Sequence, residues 1–257
     1  CAEWLLSSMK KYWKYVLVCL LAYSVFMLVL TPASWWLRLV PLPANVQLGT
    51  VTGTLWRGEV QGIAYQNLVL PTLEWQLAPW SLFTLRAKVS FQAGSVQQEQ
   101  QPYMQGTLIA GFSGMQLQQS LFKMPVATVV PMLQLPLPVQ ATGNLLLQID
   151  QLNLKQGACQ QLQGQASWLD AKLQPPTGQW LDLQQLHADL SCEQDLPVLV
   201  TDANNVLSLD IRASIKPSGR LTVQGSLKPS ADLPEEVHQA MRFVGQPDAN
   251  GRYSLNF

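Results

Sequence analysis

The residues that could do acid–base or nucleophilic chemistry are few in this sequence and poorly arranged. It has two histidines, His187 and His238, and the first lies five residues before Cys192. On a β-strand an odd spacing puts two side chains on opposite faces, which argues against a cysteine–histidine nucleophile. Glu235 and Glu236 are adjacent, so they cannot converge on one helix face as an acid and a base. The sequence therefore does not predict an enzyme.

Motifs for metals and nucleotides are also missing from the sequence. The segment Asp248–Gly251 resembles the start of a calcium loop, but no glutamate follows to complete it, and a tight turn is expected instead. No phosphate-binding loop, dinucleotide fingerprint or zinc-ligand spacing occurs. We therefore expect no cofactor, no metal and no small-molecule substrate, and a binding or assembly role is favoured.

Two of the four cysteines are expected to form a disulfide. Cys1 is at the terminus and Cys19 lies in an apolar segment, which leaves Cys159 and Cys192 as a pair. In an oxidising compartment such a pair is typically bonded, and the alternative is two buried free thiols. Closing a loop of this size would stabilise the fold by roughly 3–4 kcal/mol.

The N-terminal segment predicts attachment to the inner membrane of a bacterium. Its uncharged run, Tyr15 to Leu30, is shorter than the roughly 20 residues usually needed to span a bilayer, but flanking aromatic residues extend it. The run is preceded by lysines, which mark the cytoplasmic side, and followed by interfacial tryptophans. These residues are Lys10, Lys11, Lys14, Trp35 and Trp36. We predict a short leader and a single transmembrane anchor over residues 1–36, with Met9 as the natural start. A cleavable signal peptide is the alternative, and both send the remainder to the periplasm.

The composition indicates a protein with much apolar surface to cover. Charged residues make up 12% of the chain, about half the usual share of a globular domain, and the net charge is zero. Neither a nucleic acid nor an anionic surface is suggested, because both call for a basic patch. The 48% hydrophobic content must be covered by the protein's own core, by a partner or by lipid.

The dominant hydrophobic period beyond the N-terminal segment is two, which predicts antiparallel β-strands. Four runs alternate apolar and polar residues: 85–91, 139–149, 207–215 and 221–227. Glycines recur on the apolar side of these patterns, at Gly53, Gly106, Gly143, Gly164 and Gly225. Repeated glycine on one face favours a strongly curved sheet whose concave side is lined by Leu, Val and Gly, although coincidence is the alternative. The predicted fold is mainly β, an open groove or half-barrel-like antiparallel sheet with a short C-terminal helix.

The pattern divides the periplasmic chain into two β regions. Residues 37–124 form the first region and residues 139–257 the second, with a proline-rich junction at 125–138 between them. A short helix is predicted just before the junction, around residues 116–122. A terminal helix is predicted to start within residues 232–236, where a proline and acidic residues suit a first turn, and to end before Gly245.

The tryptophans beyond the anchor have two interpretations. They are sheet core, or they belong to an exposed aromatic patch for a partner or for the membrane surface. Together with the glycines of the apolar face they make up the candidate partner or groove surface: Gly53, Trp56, Trp75, Trp80, Gly143, Trp168 and Gly225.

Several short segments, in this order, give the chain a family resemblance. They are the lysine-led apolar segment, Gly53–Gly58 (GTLWRG), Leu73–Leu77 (LEWQL), Pro79–Leu82 (PWSL), Gly157–Cys159, Leu190–Cys192 and Gly245–Tyr253 (GQPDANGRY). From about Met9 to Phe257 the sequence resembles protein N of the bacterial type II secretion system. The resemblance implies a non-enzymatic accessory component of the inner-membrane platform that exports folded proteins. The implied partners are other platform proteins of that apparatus.

A second resemblance leads to a different function. Trp75, Pro79 and the alternating pattern with inward glycines are similar to AsmA-like envelope proteins, whose β-grooves are associated with carrying lipid. That resemblance implies that acyl chains occupy the concave face. A periplasmic hydrolase is disfavoured because no nucleophile–base arrangement is visible.

Overall fold

The N-terminal part of the chain is helical. In the computed structural model, the described residues are 2–37, 46–65, 68–133 without 96 and 99, 139–174, 179–231 without 217 and 219, 233, 235–241 and 245–256. Helix α1 covers Ala2–Leu30 and helix α2 covers Ala33–Leu37. An isolated antiparallel bridge between Pro32 and Thr54 ties this part to the sheet.

The structure does not support the predicted single membrane span. A helix does form over the predicted segment, but no helix among the described residues is both long and apolar enough to cross a membrane. The side chains of Lys10, Lys11 and Lys14 lie outside the described part of the chain.

Beyond the helices, the described strands form one antiparallel sheet of 13 strands. Each strand pairs with the strand before it and the strand after it in the sequence. Its first strands are β1 (Val46–Gly53), β2 (Arg57–Tyr65), β3 (Leu68–Leu77), β4 (Arg86–Ala93), β5 (Tyr103–Gly111) and β6 (Gly114–Pro125). The others are β7 (Gln140–Lys155), β8 (Ala158–Gln174), β9 (Leu181–Glu193), β10 (Leu196–Thr201), β11 (Asp210–Ile215), β12 (Leu221–Leu227) and β13 (Tyr253–Asn256). The prediction of a mainly β, open antiparallel sheet is confirmed.

Short helical segments interrupt this order. A 3₁₀ turn, Pro79–Thr84, joins β3 to β4, and helix α3 (Val126–Val129) with a second 3₁₀ turn (Val130–Leu133) follows β6. Helix α4 covers Glu235–Ala240, close to its predicted position, although residues 232 and 234 of the predicted start lie outside the described part.

The sheet continues past the proline-rich segment. Strands β6 and β7 lie on either side of it and pair directly, from Met115 with Leu154 to Pro125 with Asn144. Residues 134–138 of that segment lie outside the described part. The division into two β regions remains a prediction.

Two local predictions are wrong. The segment 116–122, expected to be helical, lies within β6 because a bulge at Gln119 (φ 46°) shifts the apolar residues out of a simple period of two. The run expected from residue 207 becomes a strand only at Asp210. The Asn205 side chain is the cause, since it accepts hydrogen bonds from the backbone N–H groups of Leu207 and Leu209 and holds them in a turn.

The glycines of the apolar face lie where neighbouring strands approach closely. A Cβ atom added to Gly164 would lie 2.3 Å from the Gln148 carbonyl oxygen, and one added to Gly225 would lie 2.2 Å from that of Asp210. Glycine therefore permits the close approach of these strands. A strong curvature of the sheet, with these glycines on its concave side, remains a prediction.

The buried core is small for a chain of this size. One cluster forms where Val237 of α4 packs on Ala171, Leu181 and Leu183, and a second contains Ile149, Cys159 and Leu162. The solvent-accessible surface is 17533 Å², whereas a compact monomer of this mass exposes about 11,000 Å². Much of the sheet therefore has only one covered face, or none.

Candidate interaction surfaces

The disulfide stabilises one end of the sheet. Cys159 is the second residue of β8 and Cys192 the last but one of β9, and the two are bonded with their Cα atoms 5.6 Å apart. Both lie on the apolar face, and the Cys159 N–H also donates to the Asp195 carbonyl oxygen at 2.7 Å. The predicted pairing is confirmed. The cross-link holds β8 and β9 together. Any partner surface formed by these strands depends on that bond.

Trp75 packs over a glycine near the start of the sheet. Its ring occupies the space beside Gly58, where an added Cβ would lie 2.3 Å from ring carbon Cζ2. Its indole N–H donates to the Leu55 carbonyl oxygen at 3.2 Å. Gly53 has a φ of +89° and a close contact with the Arg57 carbonyl, which suits the tight turn between β1 and β2. These residues build the β1–β2 turn rather than a pocket.

Trp168 repeats this arrangement in the second half of the sheet. Its indole N–H donates to the Thr142 carbonyl oxygen at 2.9 Å, and Gly143 leaves room for that nitrogen. The ring also packs against the core cluster beneath α4. Gly225 lies four strands away, in β12. The predicted surface residues therefore belong to separate parts of one apolar face.

Trp56 and Trp80 lie elsewhere, at the turns near α1. Trp56 lines an open cleft of about 520 Å³ with Val25 and Val29 of α1 and Phe83 of the 3₁₀ turn. Its indole nitrogen is buried and has no hydrogen-bond partner among the described residues. Trp80 is 79% exposed. The exposed-patch interpretation therefore suits Trp80, whereas Trp75 and Trp168 pack on the sheet.

The first strand offers the longer of the two sheet edges. Strand β1 has eight residues and β13 has four, and within the described chain neither has a strand on its outer side. Sequence patterns did not reveal this edge, because strand order is a long-range property.

The described residues offer little that could do chemistry. His187 is exposed on the polar side of β9, where its Nδ1 atom is 3.0 Å from the hydroxyl oxygen of the half-buried Ser167. Asp248 forms the expected turn, accepting from the N–H groups of Asn250 and Arg252. No group of three or more potential metal ligands comes together within the described chain.

Comparison with known proteins finds one family of relatives along almost the whole chain. The family described as "Type II secretion system (T2SS), protein N" matches residues 44–256. A relative from Aeromonas hydrophila, named "Type II secretion system protein N", is 32% identical over 93% of this chain and 94% of its own length. Proteins with that name from Vibrio cholerae serotype O1 and Pectobacterium carotovorum are 31% and 26% identical, over 88% and 92% of this chain and 89% and 92% of theirs. No solved structure matches the chain. The chain belongs to the family of type II secretion system protein N, and is thus a component of a secretion apparatus.

Proposed function

We propose that the chain is a non-enzymatic accessory component of the secretion platform at the inner membrane. Its β-sheet lies in the periplasm and binds or braces another platform protein by accepting a strand at the edge of β1. Family membership supports the apparatus. The disulfide between Cys159 and Cys192 supports an oxidising compartment for the sheet. The exposed apolar side chains of α1, from Val16 to Leu30, support attachment to the membrane.

The edge of β1 carries the proposal, since within the described chain it has no strand on its outer side and only the short helix α2 contacts this strand from the N-terminal part. Natural edge strands are usually protected by charged residues, by proline or by being very short. Residues Val46–Gly53 (VQLGTVTG) have neither charge nor proline, and the strand runs for eight residues. The bridge between Pro32 and Thr54 lies just beyond one end of the strand. An edge of this kind is suited to pairing with an extended segment of another chain.

The energetics suit a reversible contact. An added strand of about six residues would form roughly six backbone hydrogen bonds, each contributing about 0.5–1.5 kcal/mol net. Its alternate side chains could also extend the apolar face beside Val51, which is half-buried. Since ordering an extended segment offsets part of this gain, we expect an affinity typical of an accessory protein rather than of a permanent subunit.

Crosslinking in cells tests the proposal. A photoreactive amino acid at Gln47 or Thr52, both exposed on β1, should capture a platform protein of the secretion apparatus. The matched control is Gln163, which is equally exposed but lies on β8, inside the sheet. The variant Gln47→Lys/Thr52→Lys should abolish capture from Val46, because edge lysines oppose strand pairing. Equal capture from Gln163, or none from β1, would reject strand addition.

The half-buried apolar face favours lipid as a second candidate occupant. Leu190, Leu199, Ala213 and Val223 occupy adjacent positions across β9 to β12, and most are only partly covered. Acyl chains could cover such a row at little polar cost. Mass spectrometry of the purified chain distinguishes the two, because co-purified phospholipid lost on substituting Leu199→Asp would support lipid carriage. A lipid-free protein that still crosslinks through β1 would support the platform contact.

A further inference from the structure

Among the described residues beyond the N-terminal helices, the four most exposed large apolar side chains lie at one end of the strands. They are Trp80 (79%), Phe83 (81%), Leu85 (69%) and Phe112 (94%). Each strand of the sheet pairs antiparallel with the next strand in the sequence. The turns β1–β2, β3–β4 and β5–β6 therefore all lie at the same end of the sheet. We call these four residues the aromatic rim. Clustered exposure of this size indicates a surface that is covered in the cell.

Local structure holds the aromatic rim outward. The rings of Trp80 and Phe83 stack with their centroids 5.8 Å apart. Leu85 ends the 3₁₀ turn with a φ of 55°, an unfavourable conformation for leucine, and its side chain is exposed. The turn containing Phe112 is adjacent, since Gly111 pairs with Arg86. The strain at Leu85 is explained if the exposed side chain has a partner outside the protein.

The charged residues of the turns around the aromatic rim are cations. Residues 53–58, 77–90, 108–118 and 152–160 contain no aspartate or glutamate, and carboxylates come just beyond them, at Glu59 and Glu74, which pair across β2 and β3, and at Asp195, whose carbonyl oxygen accepts from the Cys159 N–H. The same four ranges contain four cations, Arg57, Arg86, Lys88 and Lys155, and none forms an ion pair within the described chain. Arg86 and Lys155 line one open cleft of about 310 Å³ together with amide side chains such as Gln116 and Asn153. This cleft suits a phosphate group.

The aromatic rim is also continuous with the apolar surface of α1. Val25 and Val29 of the helix line the same cleft as Leu82 and Phe83 of the 3₁₀ turn. Tyr23 and Phe26, nearby on α1, are at least 60% exposed. A surface that covered the end of α1 would therefore cover the rim as well.

We propose that the aromatic rim docks onto the surface of an anionic phospholipid bilayer. Trp80, Phe83 and Phe112 lie at the level of the headgroups, where amphipathic and aromatic rings are favoured. Arg86 and Lys155 bind lipid phosphates from the adjacent cleft. The sheet then stands on the membrane by the turns β3–β4 and β5–β6, with its opposite end directed away. This orientation goes beyond the proposed strand addition and does not depend on the edge of β1.

Site-directed spin labelling of the full chain in nanodiscs tests the docking. Cys1 and Cys19 are replaced by serine, the disulfide is kept, and a nitroxide is attached at Phe112→Cys. The matched control is Val69→Cys, which is 60% exposed at the opposite end of the strands. Discs contain either phosphatidylcholine alone or phosphatidylcholine with phosphatidylglycerol. We expect the label at 112 to be accessible to oxygen and shielded from a water-soluble relaxation agent in the anionic discs. The label at 69 should face water in both.

Charge variants test the phosphate cleft. The substitution Arg86→Gln/Lys155→Gln should lower the ratio of docked to undocked label by about 30-fold, from roughly a fivefold effect per cation. The variant Lys216→Gln/Arg220→Gln removes the same charge from exposed positions far along the sheet and should leave the ratio unchanged. In every variant, the absence of free thiols at Cys159 and Cys192 shows that the disulfide is intact and verifies the fold.

The results that would contradict membrane docking differ from those that would contradict strand addition at β1. A label at 112 that faces water in both kinds of disc overturns the docking, as do equal accessibilities at positions 112 and 69. Equal docking in neutral and anionic discs, or no response to the loss of Arg86 and Lys155, overturns the role of the phosphate cleft. Excess inorganic phosphate that releases the label as fully as the charge variants do would show that the cleft binds free phosphate rather than lipid.

Discussion

Replacing Gly164 by alanine tests whether glycine permits the close approach of β7 and β8. Gly164 lies in β8 opposite Ile149 of β7, and the new Cβ would lie 2.3 Å from the Gln148 carbonyl oxygen and 3.1 Å from the Ile149 Cα atom. Both contacts are with backbone, so relief requires β7 to move. Overpacking of this kind costs about 1–3 kcal/mol. The restriction of the unfolded chain by alanine offsets about 0.4–1 kcal/mol of that loss.

Two further variants separate the effect of a close contact from the general effect of alanine. At Gly111 the nearest atom to an added Cβ is Arg86 Cγ at 3.3 Å, a flexible side chain, so Gly111→Ala should change the free energy of unfolding by less than about 0.5 kcal/mol. At Gly106 the clash is with the Ser120 side chain, whose hydroxyl oxygen would be 2.1 Å away. Gly106→Ala should therefore destabilise the protein, and Ser120→Gly in the same chain should restore part of the loss.

Urea unfolding of the full chain in detergent, followed by tryptophan fluorescence, measures these differences. We expect the midpoint to fall for Gly164→Ala and Gly106→Ala and to recover in Gly106→Ala/Ser120→Gly. A midpoint for Gly164→Ala equal to that of Gly111→Ala would refute the reasoning, because the close approach of β7 and β8 would then have no energetic consequence.

Three other substitutions probe the parts that hold the sheet together. Removing the disulfide with Cys159→Ala/Cys192→Ala should lower the free energy of unfolding by about 3–4 kcal/mol for a sequence separation of 33 residues, and an unchanged urea midpoint would contradict this. Val237→Ala should cost about 1–3 kcal/mol by leaving a cavity over Ala171, Leu181 and Leu183, visible as a lower melting temperature, whereas Glu235→Ala on the exposed side of α4 should have little effect. Trp75→Phe removes the hydrogen bond to Leu55 and should cost about 1 kcal/mol in urea unfolding, and equal stability would show that the bond contributes nothing net.

The sequence predicts the β-architecture well because its signal is local. Alternation over Leu221–Leu227 and the prolines and glycines between strands define single strands without any knowledge of their partners. The disulfide was predictable for a different reason, since eliminating Cys1 and Cys19 left one pair. Each of these inferences needs only neighbouring residues or residue counts.

Prediction from local alternation fails for irregular strands. In β6, Leu117 and Phe122 lie on one face only because Gln119 adopts a left-handed conformation and adds a residue to the strand. Read without that bulge, the spacing of Leu117 and Leu121 suits a helix. In β8 the same device recurs at Asp170, between Trp168 and Ala171. A bulge depends on how the neighbouring strand is placed, so no local pattern reports it.

The surfaces could be predicted only in part. A net charge of zero argued against an anionic surface, but Arg86 and Lys155 come together only because β4, β5, β6 and β7 are adjacent in the sheet. Phe112 was missed although its position was a usable signal, since a phenylalanine between Gly111 and Gly114 in a turn has no core to enter. The open edge at β1 follows from strand order, which alternation does not determine.

Hydrogen–deuterium exchange, resolved to single strands, tests most directly whether the sheet has an open edge that a partner can occupy. In the purified chain we predict rapid exchange in β1 and β13 and slow exchange in the interior strands β6 to β9. In membranes that contain the assembled secretion apparatus, β1 should become protected while β13 stays unchanged. Protection of β1 in the purified chain equal to that of β7 would contradict the open edge, and rapid exchange of β1 in both preparations would contradict its occupation by a partner.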